Sequence, residues 1–247
     1  MANRPLRFTL SFVFFALILA AAALIAGMIF RHYSAVPGNG DFVTEARHPF
    51  KLVLDPGHGG EDGGAVGYGD MTESQINLAL SLKTRDLMTL CGFDVIMTRE
   101  EDVMLWDGVT EGSRKARDLK CRYQLARSYP QALFLSIHMN KFPQEQYSGL
   151  QVYYSPNHPG SAEAAGMIQT FVHRYLQPDN TRLTKPAGSN IYLLDRLTTP
   201  ACIVECGFLS NRAEAERLCT EEYRSRLAAV ITAAAQWYYF GDTPLEN

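Results

Sequence analysis

Lys51-Leu52-Val53-Leu54-Asp55-Pro56-Gly57-His58-Gly59-Gly60 decides how the rest of the chain is read. Residues 51–55 form a short apolar run of strand character, and the run stops at a proline, glycines and a histidine. Similar β-branched or aromatic runs lie at 93–98, 132–138, 150–154 and 201–205. Between several of them the spacing turns helical. Thr72 followed three residues later by Gln75 is a capping-box pattern, opening a helix that runs to about Cys91 and stops at Gly92. Residues 114–129, 161–176 and 211–240 also carry helical periodicity, the last broken near Thr220. Buried apolar strands alternating with helices predict one α/β domain with a mostly parallel twisted sheet and helices on both faces.

Outward from this domain, residues 8–30 contain neither a charge nor a proline. As a helix they would span about 34 Å, enough to cross a hydrocarbon core of about 30 Å. Arg4 and Arg7 precede the run and only Arg31 follows closely. That bias places the N-terminus in the cytoplasm and the domain outside it. The expected organisation is an N-terminal transmembrane anchor over 1–33, a linker over 34–48, a catalytic domain over 49–241 and a short tail over 242–247. Residues 20–23, all alanine-like in size, also suit a cleaved signal peptide and a secreted protein, but the apolar run continues past them. The expected location is therefore the cytoplasmic membrane, in a single pass.

A net charge of -3 gives no basic footprint for nucleic acid, so none is expected as a partner. Five cysteines, Cys91, Cys121, Cys202, Cys206 and Cys219, include no CxxC pair. They fit neither a disulfide framework nor a zinc ribbon, and buried free thiols are expected.

The polar residues that matter lie where strands are expected to stop. His58 follows the first, His138 ends the 132–138 run and Glu205 ends the 201–205 run. In an open parallel sheet the carboxyl ends of the strands form the ligand crevice, so these residues can converge. Glu73, in the first turn of the capped helix, can project to the same edge. Two imidazoles and a carboxylate with a fourth position free would make an open catalytic zinc site. Position alone leaves both readings standing, since histidines and glutamates at strand ends also serve as packed or ion-paired groups. Asp55 and Asn140 are expected to orient neighbouring ligands. Arg99 is expected to be structural, and His48, His158 and His173 to serve the surface or packing.

Four separated segments sharpen this. Asp55-Pro56-Gly57-His58-Gly59-Gly60, Glu73, Ser136-Ile137-His138-Met139-Asn140 and Val204-Glu205-Cys206-Gly207-Phe208-Leu209-Ser210-Asn211 resemble, in order, the zinc-dependent N-acetylmuramoyl-L-alanine amidases. The resemblance spans roughly residues 51–240 and includes Thr98, Arg99, Asp102 and the helix bearing Arg122. It implies that His58, Glu73 and His138 bind Zn2+, that Glu205 is catalytic, and that the substrate is peptidoglycan. Val204-Glu205-Cys206-Gly207-Phe208, the later Cys219-Thr220-Glu221-Glu222-Tyr223 and a short anchor without wall-binding repeats are similar to the sporulation subgroup, which acts on spore cortex ahead of muramic lactam formation. Members of that subgroup can work with an accessory lipoprotein. The chain departs from the family at Arg127 and in the hydrophilic stretch 103–120, which bear on helix packing and on contacts beside the cleft. Competing expectations are a vegetative wall amidase, a different zinc hydrolase on peptidoglycan, and a non-catalytic, membrane-tethered wall-binding protein.

Overall fold

The computed structural model describes residues 50–68, 71–108 and 110–241. The expected anchor, linker, His48 and tail lie outside them. Among the described residues no helix is long and apolar enough to cross a membrane.

Six strands form one sheet in the order β2-β1-β3-β6-β4-β5. They are β1 (Lys51–Pro56), β2 (Asp94–Met97), β3 (Leu133–Asn140), β4 (Gln151–Tyr154), β5 (Lys185–Pro186) and β6 (Ala201–Phe208). β2, β1, β3 and β6 run parallel. β4 is antiparallel to β6, and the two-residue β5 is parallel to β4. The helices are α1 (Glu73–Leu90), α2 (Arg114–Arg127), α3 (Pro159–Tyr175), α4 (Tyr192–Arg196), α5 (Arg212–Leu218) and α6 (Glu221–Phe240).

Both sheet faces are covered, as the near-continuous apolar strands require. Leu52, Leu54, Leu133, Leu135 and Ile137 pack beneath α1, α3 and α6 through Ile76, Leu80, Ile168 and Leu227. Val53, Phe134 and Ile203 face the other way and pack against Ala126 of α2 and Leu193 and Leu194 of α4. The Thr72 backbone N–H donates to Gln75 Oε1 at 3.0 Å, one half of the expected capping box. Thr220 breaks the C-terminal helical stretch by capping α6, its hydroxyl accepting from Tyr223 N.

Three expectations are corrected. His138 does not end its strand, since β3 continues to Asn140, and Glu205 lies inside β6, which continues to Phe208. The glycine and polar residues that suggested strand ends are carried by backbone bonds to neighbouring strands, including Leu209 N to Asn140 O at 2.8 Å. Cys202 and Cys206 are buried free thiols, but Cys91 at the end of α1 is exposed and Cys121 and Cys219 are half-buried. Sequence periodicity also missed α4 and β5, both too short to show a period.

Candidate metal centre

The segment after β1 is bent by backbone geometry that few residues tolerate. His58 has φ +60°, in the left-handed region that costs a non-glycine residue about 1–3 kcal/mol. Its surroundings hold it there. Gly57 N donates to Ile137 O at 3.0 Å, and Gly59 and Asp62 exchange backbone bonds at 2.9 and 3.1 Å. Arg122 donates from Nη2 to the His58 carbonyl at 2.6 Å. Gly57 must be glycine, because a Cβ there would lie 2.2 Å from the His138 ring.

Glu73 reaches the same point from the first turn of α1 and is 3% exposed. Its Oε1 lies 3.3 Å from His58 Nε2 and 3.1 Å from His138 Nδ1. The same oxygen accepts from Met139 N at 3.1 Å, while Oε2 accepts from Ala65 N at 2.7 Å. Burial opposes a charge on Glu73, but the two imidazoles overcome it and hold the carboxyl well below its usual range. For His58, burial disfavours the imidazolium, and Glu73 and Asp62 outweigh it, raising its pKa. Donor atoms of His58, Glu73 and His138 all lie within 4.8 Å of one another. Two neutral-capable imidazoles and one ionised carboxylate, converging on one point with no fourth protein donor grouped with them among the described residues, are the donor set of an open divalent-metal site.

Glu205 stands beside this cluster because β3 and β6 pair in register, with His138 opposite Glu205. Paired residues on parallel strands project to one face, here the side that carries Ile203 and α4. The Glu205 Oε2 atom is buried and makes no hydrogen bond. Burial pushes its carboxyl up to about 7, against the pull of His138 and with the help of Glu73. A cleft of about 200 Å3 opens over the two histidines, with Ile191 and Tyr192 on the facing wall and Lys115 at the rim.

The four residues singled out in the sequence lie together here, His58, Glu73 and His138 within 4.8 Å of one another and Glu205 opposite His138, but their supports differ from those expected. Asp55 touches neither histidine through a hydrogen bond. It accepts from Thr98 Oγ1, Ser136 Oγ and Arg122 Nη1, each at 2.6 Å. Asn140 enters through its backbone carbonyl. The neighbour of His58 is instead Asp62, whose Oδ2 is 3.0 Å from Nδ1. The i,i+4 spacing within the glycine-rich loop was the available signal for it. Arg99 is structural as expected, donating to the carbonyls of Pro56, Gly57 and Ser74 at 2.9, 2.9 and 3.0 Å. His158 caps α3 by accepting from Gly160 N, and His173 Nδ1 lies 3.1 Å from Asn180 O, both packing roles.

Comparison with known proteins agrees with this geometry. Residues 52–236 match the N-acetylmuramoyl-L-alanine amidase family. The chain is 37% identical over 197 residues to the germination-specific N-acetylmuramoyl-L-alanine amidase of Bacillus subtilis (strain 168), covering 78% of this chain and 82% of that protein. Among solved structures it is similar to the CwlD amidase from Clostridioides difficile in complex with the GerS lipoprotein. The TM-score is 0.74 at 36% identity, over 78% of this chain and 100% of that one. It is also similar to the catalytic domain of CwlV, an N-acetylmuramoyl-L-alanine amidase from Bacillus (Paenibacillus) polymyxa. There the TM-score is 0.64 at 28% identity, over 77% and 98% of the two chains. With the family matched across nearly the whole described domain, the chain belongs to the N-acetylmuramoyl-L-alanine amidases and is an amidase acting on peptidoglycan.

Proposed function

We propose that this protein hydrolyses, with zinc, the amide joining the lactyl group of N-acetylmuramic acid to L-alanine, and that it does so in maturation of the spore cortex. The observation that carries the reading is the in-register pairing of His138 with a half-buried Glu205 whose buried Oε2 makes no hydrogen bond, beside His58 and Glu73. His58, Glu73 and His138 would hold the metal. Zinc, when bound, supplies the Lewis acidity that makes water nucleophilic near neutral pH and polarises a carbonyl. Glu205 would accept a proton from the water that adds to the lactyl carbonyl carbon. It would then deliver that proton to the L-alanine nitrogen as the C–N bond breaks, leaving a muramic carboxylate and a free stem peptide. A carboxyl lifted to about 7 by burial changes protonation state near neutral pH, as a group that takes and returns one proton requires. Asp62 lies 3.0 Å from the far nitrogen of the His58 ring, out of line for a hydrogen bond in this metal-free arrangement, and would orient that ring once the metal is bound, in the manner of carboxylates behind metal-binding histidines.

The spore-cortex setting is supported by the likeness to a germination-specific amidase. An accessory lipoprotein is part of the same reading, supported by the likeness to an amidase whose structure is a complex with a lipoprotein. So is a single-pass membrane tether over residues 8–30, with the catalytic domain outside the cytoplasm. The test is mass spectrometry of muropeptides after digestion of cortex-type and vegetative peptidoglycan, with metal content measured on the same protein. Glu205→Gln should retain zinc and lose turnover, and His58→Ala should lose both. A Glu205→Gln protein of normal activity, or products that are acetate or trimmed peptides, would overturn the assignment.

A further inference from the structure

The loop that carries His58 has a second cleft on its other side. It encloses about 490 Å3 and is lined by Gly60 and Glu61 of that loop, Val103 and Trp106 of the following connection, and Arg114 and Arg117 of α2. The cleft over the metal centre is lined by His58 and Asp62 of the same loop and by Lys115 and Asp118 of the same helix. Loop 58–62 and the first turns of α2 are therefore a wall shared by both clefts. Two peptide units separate His58 from Gly60, so the second cleft begins within about 7.6 Å of the His58 Cα.

Trp106 is 68% exposed and Val103 is 42% exposed, on either side of the half-buried Met104 and Leu105. Their platform is pinned on both sides. Gly60 N donates to Asp102 Oδ1 at 3.0 Å, and Leu105 N donates to Asp118 Oδ1 at 2.8 Å. Arg114 pairs with Glu61, and Arg117 Nη1 donates to Thr110 O at 2.6 Å. The connection also lies against the loop so closely that a Cβ on Gly59 would meet the Val103 carbonyl oxygen at 2.3 Å. An indole presented from a fixed platform forms a flat apolar surface without first ordering a loop, which lowers the entropy lost on binding.

The chemistry of the substrate narrows what this surface would receive. The amide under attack hangs from a sugar, so the polymer leaves the metal centre in two directions, as stem peptide and as glycan. A pyranose offers an apolar C–H face to stack on an aromatic ring and an equatorial rim of hydroxyl and acetamido groups for hydrogen bonds. Exposed Trp106 matches the first, and Glu61, Arg114 and Arg117 match the second. Glu61 and Arg114 offset each other in charge, which suits a neutral saccharide better than a multiply charged peptide. At about 490 Å3 the cleft falls within the range of about 300–1,000 Å3 typical of small-ligand sites. We infer that this cleft is a glycan subsite, in which Trp106 stacks on a saccharide unit flanking the muramoyl residue under attack. The inference rests on the proposed muramoyl amide as substrate only for the direction in which the glycan leaves.

The chain has two tryptophans, Trp106 and Trp237, so Trp237→Phe leaves Trp106 as the sole indole reporter. The full chain carrying that change, in detergent and with a chelator present, is titrated with peptide-free glycan strands of alternating N-acetylglucosamine and N-acetylmuramic acid. A saturable change in Trp106 emission is expected. By calorimetry Trp106→Ala should bind these strands about tenfold more weakly, with Trp106→Phe recovering most of the loss. With zinc present, Trp106→Ala should raise the ratio of KM for polymeric peptidoglycan to KM for muramoyl dipeptide about tenfold. Equal glycan affinity in Trp106→Ala and the parent chain, or an unchanged KM ratio, overturns the subsite. Because the titration needs neither metal nor turnover, Trp106-dependent glycan binding in a protein that fails to cleave the amide would refute the proposed reaction and leave the subsite standing.

Discussion

Replacing Arg122 by methionine keeps roughly the side-chain length and removes the charge that organises the buried side of the site. Arg122 is 1% exposed and donates to Asp55 and Asp118 at 2.6 and 2.7 Å and to the carbonyls of Pro56 and His58 at 2.8 and 2.6 Å. Methionine can replace none of these bonds, and it leaves Asp55 fully buried with only the hydroxyls of Thr98 and Ser136. Removing one partner of a buried ion pair costs about 3–5 kcal/mol, a large part of the 5–15 kcal/mol typical of a whole domain. The cost should depend on pH with a definite sign. Burial opposes ionisation of Asp55, and Arg122 with the two hydroxyls overcomes it, so the folded carboxyl titrates below its unfolded value of 3.8. The stability it contributes is full above that value and is lost as pH falls through the folded pKa. Without Arg122 burial prevails, Asp55 takes up a proton on folding, and the deficit should be largest at neutral pH and smaller in acid. Urea denaturation of the chelated protein at pH 7 and pH 4 measures both. Because the His58 carbonyl loses its donor, zinc affinity should also fall about 10–100-fold. Adding Asp55→Asn should recover part of the stability, since a neutral amide needs no counter-charge. A deficit below about 1 kcal/mol at pH 7, or one that is the same at both pH values, would refute the reasoning.

Gly57→Ala should cost about 1–3 kcal/mol by overpacking against the His138 ring, and chelator competition should show weakened zinc binding along with the lowered denaturation midpoint. Asp62→Asn should weaken zinc about 10–100-fold while changing the metal-free denaturation curve little, since the carboxylate serves the orientation of His58. In the metal-free protein burial raises the Glu205 carboxyl from 4.5 to about 7, so the contribution of this group to stability falls as pH rises between those values. Denaturation from pH 4 to pH 8 should therefore show Glu205→Gln gaining on wild type by up to about 3 kcal/mol, and a gap that is flat across this range would exclude the raised pKa.

The sheet was legible because its central strands are buried on both faces and read as unbroken apolar runs, as at Leu52 to Leu54 and Leu133 to Leu135. Pairing register was not legible, and register is what sets Glu205 beside His138. The sequence placed both at strand ends, because a polar residue after an apolar run looks like a terminus. Inside a strand that lines a site, the same residue faces a ligand while its neighbours, Val204 and Cys206, stay in the core. The supporting shell was less legible still. Asp62 lies in a glycine-rich loop with no periodicity to direct its side chain, and Arg122 reads as one more charge on a charged helix until the fold buries it. The second cleft depends on how 102–106 lies against α2, which backbone-to-carboxylate bonds from Gly60 and Leu105 fix and no local pattern announces.

Two buried guanidinium groups flank the proposed metal site, where such cations could neutralise the carboxylate that would bind the metal. They are spent elsewhere. Arg99 gives its donors to the carbonyls of Pro56, Gly57, Ser74 and Glu101. Burial and the neighbouring Arg122 lower its pKa to about 10, which still leaves it charged near neutral pH. Arg122 gives its donors to Asp55, Asp118 and the carbonyls of Pro56 and His58. Both arginines therefore bind the back of the loop, where backbone carbonyls point away from the cleft and would otherwise be buried without partners. Arg99 also joins that loop to Ser74, so it fixes the spacing between His58 and Glu73 from behind. The Glu73 carboxylate is left facing two imidazoles and two backbone amides, and none of these carries a permanent charge. A buried carboxylate in such company gains most from a cation that enters from the open side. The arginines would thus favour metal binding by ordering the proposed ligands while leaving the Glu73 charge opposed only by imidazoles that can give up their protons.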